Sequence, residues 1–209
     1  MASMKCGKPG KKIRDIEKSR QEILQVAFVE VFTRGFQGVS VDDIVKKTSF
    51  TKGAFYHHFP TKLELGYALV DEVIKPMIIE RWIAPLESFE NPVQGILALL
   101  NKLIGNAPVS QLKLGCPLNN LVQEMASLDE GFRLRLQNAL SLWINGMEKQ
   151  LKRAKLQGLI RSTVNTREAA HFIIMAHEGF YGLLKGLDDS NAFKALYNSL
   201  KLYLDAIAV

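Results

Sequence analysis

From Ile23 to Phe32 apolar side chains recur every three or four positions, with Ile23, Ala27 and Val31 in one row and Leu24, Phe28 and Phe32 in the next. That 3.6-residue period predicts a helix with one buried stripe. Ser19 and Glu22 have the spacing of a capping box at its start, and Gly35 suits its left-handed end, with Phe36 folding back on the last turn. Short, closely punctuated elements follow. Ser40-Val41-Asp42-Asp43 predicts a capped helix to about Lys47, Thr48-Ser49-Phe50 a turn, and Thr51 the cap of a helix through His58 with Phe55 and Phe59 on its inner face. Pro60 stops that helix, and Thr61 to Glu64 opens the next, which Pro76 should end or kink.

Five more helices are expected beyond residue 80. Asn91-Pro92 opens one to about Gly105, and Pro108 and Gly115-Cys116-Pro117 interrupt the chain before Leu118–Met125. Ser127 and Glu130 have the spacing to cap a long helix carrying Leu136, Leu140, Trp143, Met147 and Leu151, closed near Gly158. Asn165 or Thr166 starts another, and a last helix is capped near Ser190. Nowhere does the strict alternation of a half-buried strand occur, so the expected fold is all-α, with about nine helices.

Composition narrows the function classes. The 209 residues are 47% hydrophobic with a net charge of +6, ordinary for a globular chain. No apolar run approaches the ~18 residues of a membrane span, which leaves membrane spanning and export unsupported and a cytoplasmic location expected. Cys6 and Cys116 form neither a disulfide framework nor a zinc pattern. Charge is uneven: residues 1–60 carry a net +5 and the remainder +1. A basic quarter on a neutral body suits a module facing a polyanion, although a solvated leader would give the same count. Met1 to Lys12 reads as a flexible arm.

Two short helices separated by a three-residue turn have the spacing at which one helix braces another against a DNA major groove. The outer face of the second offers Thr51, Lys52, Gly53, Tyr56, His57 and His58, groups able to meet phosphate or base edges. Gly53 stands out, because glycine inside a helix costs about 1 kcal/mol relative to alanine; close approach to a ligand would explain it, and so would a cheaply tolerated first-turn residue. Adjacent helical residues point about 100° apart, so His57 and His58 are not expected to share a metal ion.

Over about Ser19 to Val70 the sequence resembles the TetR (AcrR-like) family of bacterial transcriptional regulators. The resemblance rests on Gly35-Phe36, Ser40-Val41-Asp42-Asp43-Ile44, Lys52-Gly53-Ala54-Phe55-Tyr56-His57-His58-Phe59 and Lys62-Leu63-Glu64-Leu65. Ser49 departs from the glycine that many members carry in the turn. The likeness implies an arm over 1–15, a helix-turn-helix DNA-binding domain over 16–62, and an effector-binding and dimerisation domain over 63–209. It implies that Lys52 and Gly53 face bases, with Ala54 near a thymine methyl. Ser40, Val41, Thr51, Tyr56, His57, His58 and Lys62 would hold the DNA backbone. Charging of the two histidines beside phosphate should then tighten binding as pH falls through about 6.5.

A homodimer on a palindromic operator is implied, with Phe180, Leu184, Leu196, Leu200 and Tyr203 as candidates for its interface; intramolecular core explains the same periodicity. A small-molecule effector is expected among the middle helices, where Cys116, Gln123, Glu124, Trp143, Met147, His171, Met175 and Glu178 are candidate contacts, each taken singly also explained by packing. Cys116 precedes a helix start that would favour a thiolate. The reading is therefore a ligand-released repressor without cofactor, metal or enzymatic activity. The alternatives are a cysteine-based redox or electrophile sensor of the same fold and a constitutive DNA-binding protein.

Overall fold

In a computed structural model, residues 10–187 and 191–209 are described, with side-chain burial from Ile16 onward. Helices make up most of it: α1 Gly10–Arg34, α2 Val41–Val45, α3 Lys52–His58, α4 Lys62–Ala68, α5 Lys75–Ile78, α6 Ala84–Glu87, α7 Pro92–Leu100, α8 Val109–Leu112, α9 Pro117–Met125, α10 Glu130–Leu156, α11 Thr166–Leu187 and α12 Ala192–Ile207. Among the described residues no strand occurs, only an isolated antiparallel bridge between Ile160 and Ala208. The chain divides into two compact units, 1–69 and 70–209, so α4 to Leu69 belongs to the first unit, whereas the sequence reading set the boundary at 62/63.

The first unit is built on α1. Ile23, Leu24, Ala27 and Val31 are buried, as their period requires, and Gly35 takes φ 80° to turn the chain, returning Phe36 to the interior. α1 nevertheless begins at Gly10, not at Ser19, so residues 10–15 of the expected arm are helical; residues 1–9 lie outside the described chain. Mid-helix, Ser19 Oγ donates to the Ile16 carbonyl (2.8 Å) instead of capping. Glu30, 5% exposed, is the one charged side chain in this buried stripe, and it is paired with Lys47 Nζ at 2.5 Å and Arg34 at 3.4 Å, as a desolvated carboxylate requires. Ser40 caps α2 with a reciprocal bond from its own amide to Asp43, Thr51 Oγ1 accepts from the Ala54 amide to cap α3, and Thr61 Oγ1 accepts from Glu64 N to cap α4.

In the second unit Pro76 does not end the helical path. The π-helical turns Leu69–Ile74 and Ile79–Ile83 precede the α-helical turns holding Pro76 and Pro85, and widened turns accommodate a ring that would collide with a carbonyl one α-turn back. Asn91 caps α7 as expected. Asp129, not Ser127, caps α10 by accepting from the Phe132 amide at 2.8 Å. Ser190 falls outside the described residues, and α12 starts at Ala192. α10 packs on α11, which packs on α12. Trp143, Phe132, Leu136 and Leu151 fill the centre, and a Cβ at Gly146 would sit 2.6 Å from Ile83 Cδ1, so the bare glycine makes room for the Ile83 side chain.

Phe55 is fully buried in the first unit while its neighbour Tyr56 is exposed. Phe55→Ala should therefore lower urea-unfolding stability of that unit by about 3–5 kcal/mol. Tyr56→Ala should change it by no more than about 0.5 kcal/mol. Equal losses would place α3 in a different rotation.

Candidate functional site

The rotation of α3 sets the first candidate site. Phe55 and Phe59 are both buried, their rings 5.7 Å apart, and this anchors the inner face. Arg20 of α1 lies 4.7 Å over the Phe59 ring. Thr51, Lys52, Gly53, Tyr56 and His57 consequently stand exposed together, with Ala54 half-buried beside them. Ser40, the exposed cap of α2, and half-buried Val41 belong to the helix before the turn. Lys62, in the first turn of α4, lays its Nζ 4.6 Å over the Phe36 ring.

Two of these residues are engaged within the chain in ways the sequence did not reveal. Lys52 Nζ is 2.7 Å from Asp42 Oδ1 and 2.9 Å from Oδ2, both side chains about half exposed, so the lysine is steered by α2. That carboxylate raises the Lys52 pKa, keeping the ammonium charged. The His58 Nε2 lies 2.8 Å from Ser19 Oγ, and since that hydroxyl already donates to Ile16, the ring N–H is the donor. Desolvation, with the neighbouring charges of His57 and Arg20, pushes its pKa below 6.5. His58 thus braces α3 on α1, and burial there disfavours its charged form.

Gly53 is required by nothing inside the chain. Its φ is not positive, and an added Cβ would meet only Thr51 Oγ1, at an ordinary 3.7 Å. A bare position on this exposed face leaves room for close approach of an external surface.

The second candidate site is a cavity of about 260 Å³ in the other unit, lined by Asn119 and Val122 of α9, Leu140 and Ile144 of α10, and His171, Ile174, Met175 and Glu178 of α11. An adjoining groove of about 320 Å³ shares Val122 and Leu140. The structure brings three of the expected contacts, His171, Met175 and Glu178, to this cavity. The others lie elsewhere: Trp143 and Met147 are core, Gln123 is exposed and donates to Asn119, and Glu124 is half-buried outside the lining. The apolar lining residues were missed because Val122, Leu140, Ile144 and Ile174 carry no polar signal; only the helical period from His171 to Ile174, Met175 and Glu178 pointed to a common face.

Glu178 is the distinctive group. Its Oε1 accepts from His177 Nδ1 at 2.9 Å, its Oε2 is buried, and the carboxylate also interacts with the buried Cys116 thiol. His177 is fixed in turn by the rings of Trp82 (4.8 Å), Trp143 (5.1 Å) and Tyr181 (5.2 Å). Cys116 occupies the cap position of α9 but is 8% exposed. Burial and then the Glu178 carboxylate push its thiol well above the ordinary range, overcoming the amides of Asn119 and Leu118. The thiolate is disfavoured in this environment.

Four of the five interface candidates are buried within the single chain, and Tyr203 is half-buried. Phe180, Leu184, Leu196 and Leu200 are at most 9% exposed within a single chain, and Tyr203 stacks 4.4 Å from Phe172. Side chains already buried have little surface left to give a partner. The exposed apolar positions of α11 and α12 are others: Met175, Leu183 (59%), Leu187 and Leu202 (73%), with Gly179, Gly182 and Gly186 opening onto space.

Comparison with known proteins agrees with this geometry. Residues 23–69 match the family described as bacterial regulatory proteins, tetR family, and residues 92–200 match the tetracyclin repressor-like C-terminal domain. An HTH-type transcriptional regulator encoded in the lacX 3′ region of Lactococcus lactis is 27% identical over 195 residues, covering 93% of this chain and 97% of its own. The HTH-type transcriptional repressor DhaR of a Mycobacterium species is 23% identical over 77% of this chain and 79% of its own. A TetR-family regulator from Cytophaga hutchinsonii superposes with a TM-score of 0.83 at 20% identity, covering 93% and 97%. Among the described residues no helix is long and apolar enough to cross a membrane.

Two outcomes follow from the α3 surface. Gly53→Ala should leave thermal stability unchanged or raise it, by at most about 1 kcal/mol, while weakening DNA binding in a gel-shift titration; unchanged binding would remove the close-approach role. For His58 the native pKa lies below the unfolded one, so the unfolded chain takes up the proton first. Stability should fall as pH drops through 6.5 toward the lowered value, and His58→Gln should flatten that slope in urea unfolding. An unaltered slope would assign it to other groups.

Proposed function

The chain belongs to the TetR family of bacterial transcriptional regulators, DNA-binding proteins with a helix-turn-helix head, and we propose that it acts as a repressor released from a palindromic operator when a small molecule enters the cavity between α9, α10 and α11. The carrying observation is the division of α3 into two faces. Phe55 and Phe59 are spent on the head, which leaves Lys52, Gly53, Tyr56 and His57 exposed. In this reading Lys52 and Gly53 meet base edges with Ala54 beside them, and Asp42 holds Lys52 in direction until DNA competes for it. Ser40, Val41, Thr51, Tyr56, His57 and Lys62 contact the sugar–phosphate backbone. Repression is supported by the name of the DhaR relative.

Regulators of this family dimerise, and one helix-turn-helix reads too few bases to be selective alone. We place the interface on the outward face of α11 and α12. Met175, Leu183 and Leu202 supply apolar area, and the open glycines at 179, 182 and 186 allow a second helix to come close. Effector control is supported by a mostly apolar cavity with a few polar groups, the usual make-up of a small-molecule site. Ligand binding to one of two conformations then shifts DNA affinity.

Selection from random DNA should recover a two-fold symmetric sequence with half-sites ~34–36 Å apart, or a multiple of that. Leu183→Arg should yield monomers in analytical ultracentrifugation and weaken operator binding. Leu200→Ala should instead lower protomer stability by about 2–5 kcal/mol. Dimers that persist in Leu183→Arg would move the interface elsewhere, and recovery of asymmetric sites would remove the dimeric reading.

A further inference from the structure

The cavity between α9, α10 and α11 is walled but not closed. Val122, Leu140 and Ile144 on its walls are half-buried and Ile174 is 5% exposed, whereas Met175 is 62% exposed. Of the lining residues Met175 alone is exposed, so the mouth opens along α11. A small-molecule site buries about 70–90% of its ligand's surface, which an apolar hollow open to water on one side does not do. Met175 also belongs to a second feature. On α11, Phe172, Met175, Gly179, Gly182 and Gly186 recur at steps of three and four and are all exposed, forming one uncharged stripe. α12 carries a similar stripe in Ala195, Ser199, Leu202 and Ala206. A Cβ built at any of the three glycines meets nothing within 4 Å, so the protomer itself does not need them bare. At about 100° per residue, His171 and Glu178 of the cavity lining project only about 40–60° round α11 from Met175. The stripe and the mouth are therefore side by side.

Regulators of this family dimerise, and a contact about a two-fold axis sets the same patch of both protomers against each other. An uncharged stripe can face its own copy without repulsion. Resting on the interface placed above on α11 and α12, we infer that a second copy of the chain completes the effector cavity: a helix of the partner packs along Met175, Gly179 and Gly182 and closes the mouth. The bare glycines let that helix come close, and the small angle from Met175 to His171 and Glu178 carries it over the opening. Each dimer then holds two cavities, each roofed by the other protomer. A small, mainly apolar molecule is enclosed only in the dimer, so its binding and dimerisation strengthen each other.

Thiol reactivity on the full chain tests this without a ligand. With Cys6→Ser as the parent, buried Cys116 sets the background rate of reaction with a polar maleimide. Ile144→Cys on α10 and Val122→Cys on α9 each put a thiol on a cavity wall, away from the interface stripe. Either should react about tenfold or more slowly in the dimer than in the Leu183→Arg monomer. The same slowing should appear as the chain with native Leu183 is concentrated through its dimerisation range. Leu202→Cys, on the α12 stripe, should slow likewise, and Leu156→Cys, 90% exposed on α10, should react equally in both states. A slowed Leu202→Cys with unchanged rates at both walls overturns the inference and leaves the interface standing. An unprotected Leu202→Cys in a dimer, or a chain that does not dimerise, overturns the interface and the inference with it. Walls on two different helices keep the test decisive if one variant misfolds.

Discussion

Burial of Phe55 and Phe59 is the constraint on which the head depends. α3 has seven residues, too few to be stable by itself, so its rotation is decided by which side chains it can hide. Hiding two phenylalanines four positions apart turns Tyr56, His57 and the preceding Thr51 to Gly53 outward. The ring of His58 donating to Ser19, and Arg20 over Phe59, fasten the same face to α1. A surface able to meet DNA is thus the complement of a hydrophobic anchor, and its orientation depends on that anchor.

The charges around that surface are more tightly managed than a basic patch suggests. Asp42 pairs with Lys52, Glu30 with Lys47 and Arg34, and Asp43 is held below the ordinary carboxylate range by bonds from Ser40. The exposed Lys52–Asp42 pair contributes little to stability and serves direction instead. A lysine restrained before DNA arrives loses less freedom on binding, at the expense of breaking or sharing its ion pair.

How much of this was legible in the sequence depends on the range of the interaction. Local signals were plain: Thr51, Thr61, Asn91 and Gly35 act where their spacing placed them, and the periodicity of α1 and α10 gave the buried stripes. Two caps were misplaced, since Ser19 and Ser127 each have a glutamate three residues on, yet α1 begins earlier at Gly10 and Asp129 outcompetes Ser127. Pro76 was expected to interrupt, and widened turns absorb it; no single-residue propensity reports that. Non-local facts were out of reach. Periodicity shows that Phe180 and Leu200 are buried but not by which chain, and it cannot tell that Cys116 faces Glu178 rather than solvent. In the cavity, His171, Met175 and Glu178 were recognisable as one helical face, whereas the α9 and α10 walls required the fold.

The central claim, that the outer face of α3 enters the DNA groove, is tested most directly by chemistry tethered to it. With Cys6 and Cys116 replaced by serine, an iron chelate attached at Lys52→Cys should cut DNA at one position in each half of the operator, the two related by two-fold symmetry. Cleavage spread evenly along the duplex, or no stronger than from a chelate carried at exposed Leu156, would contradict the account.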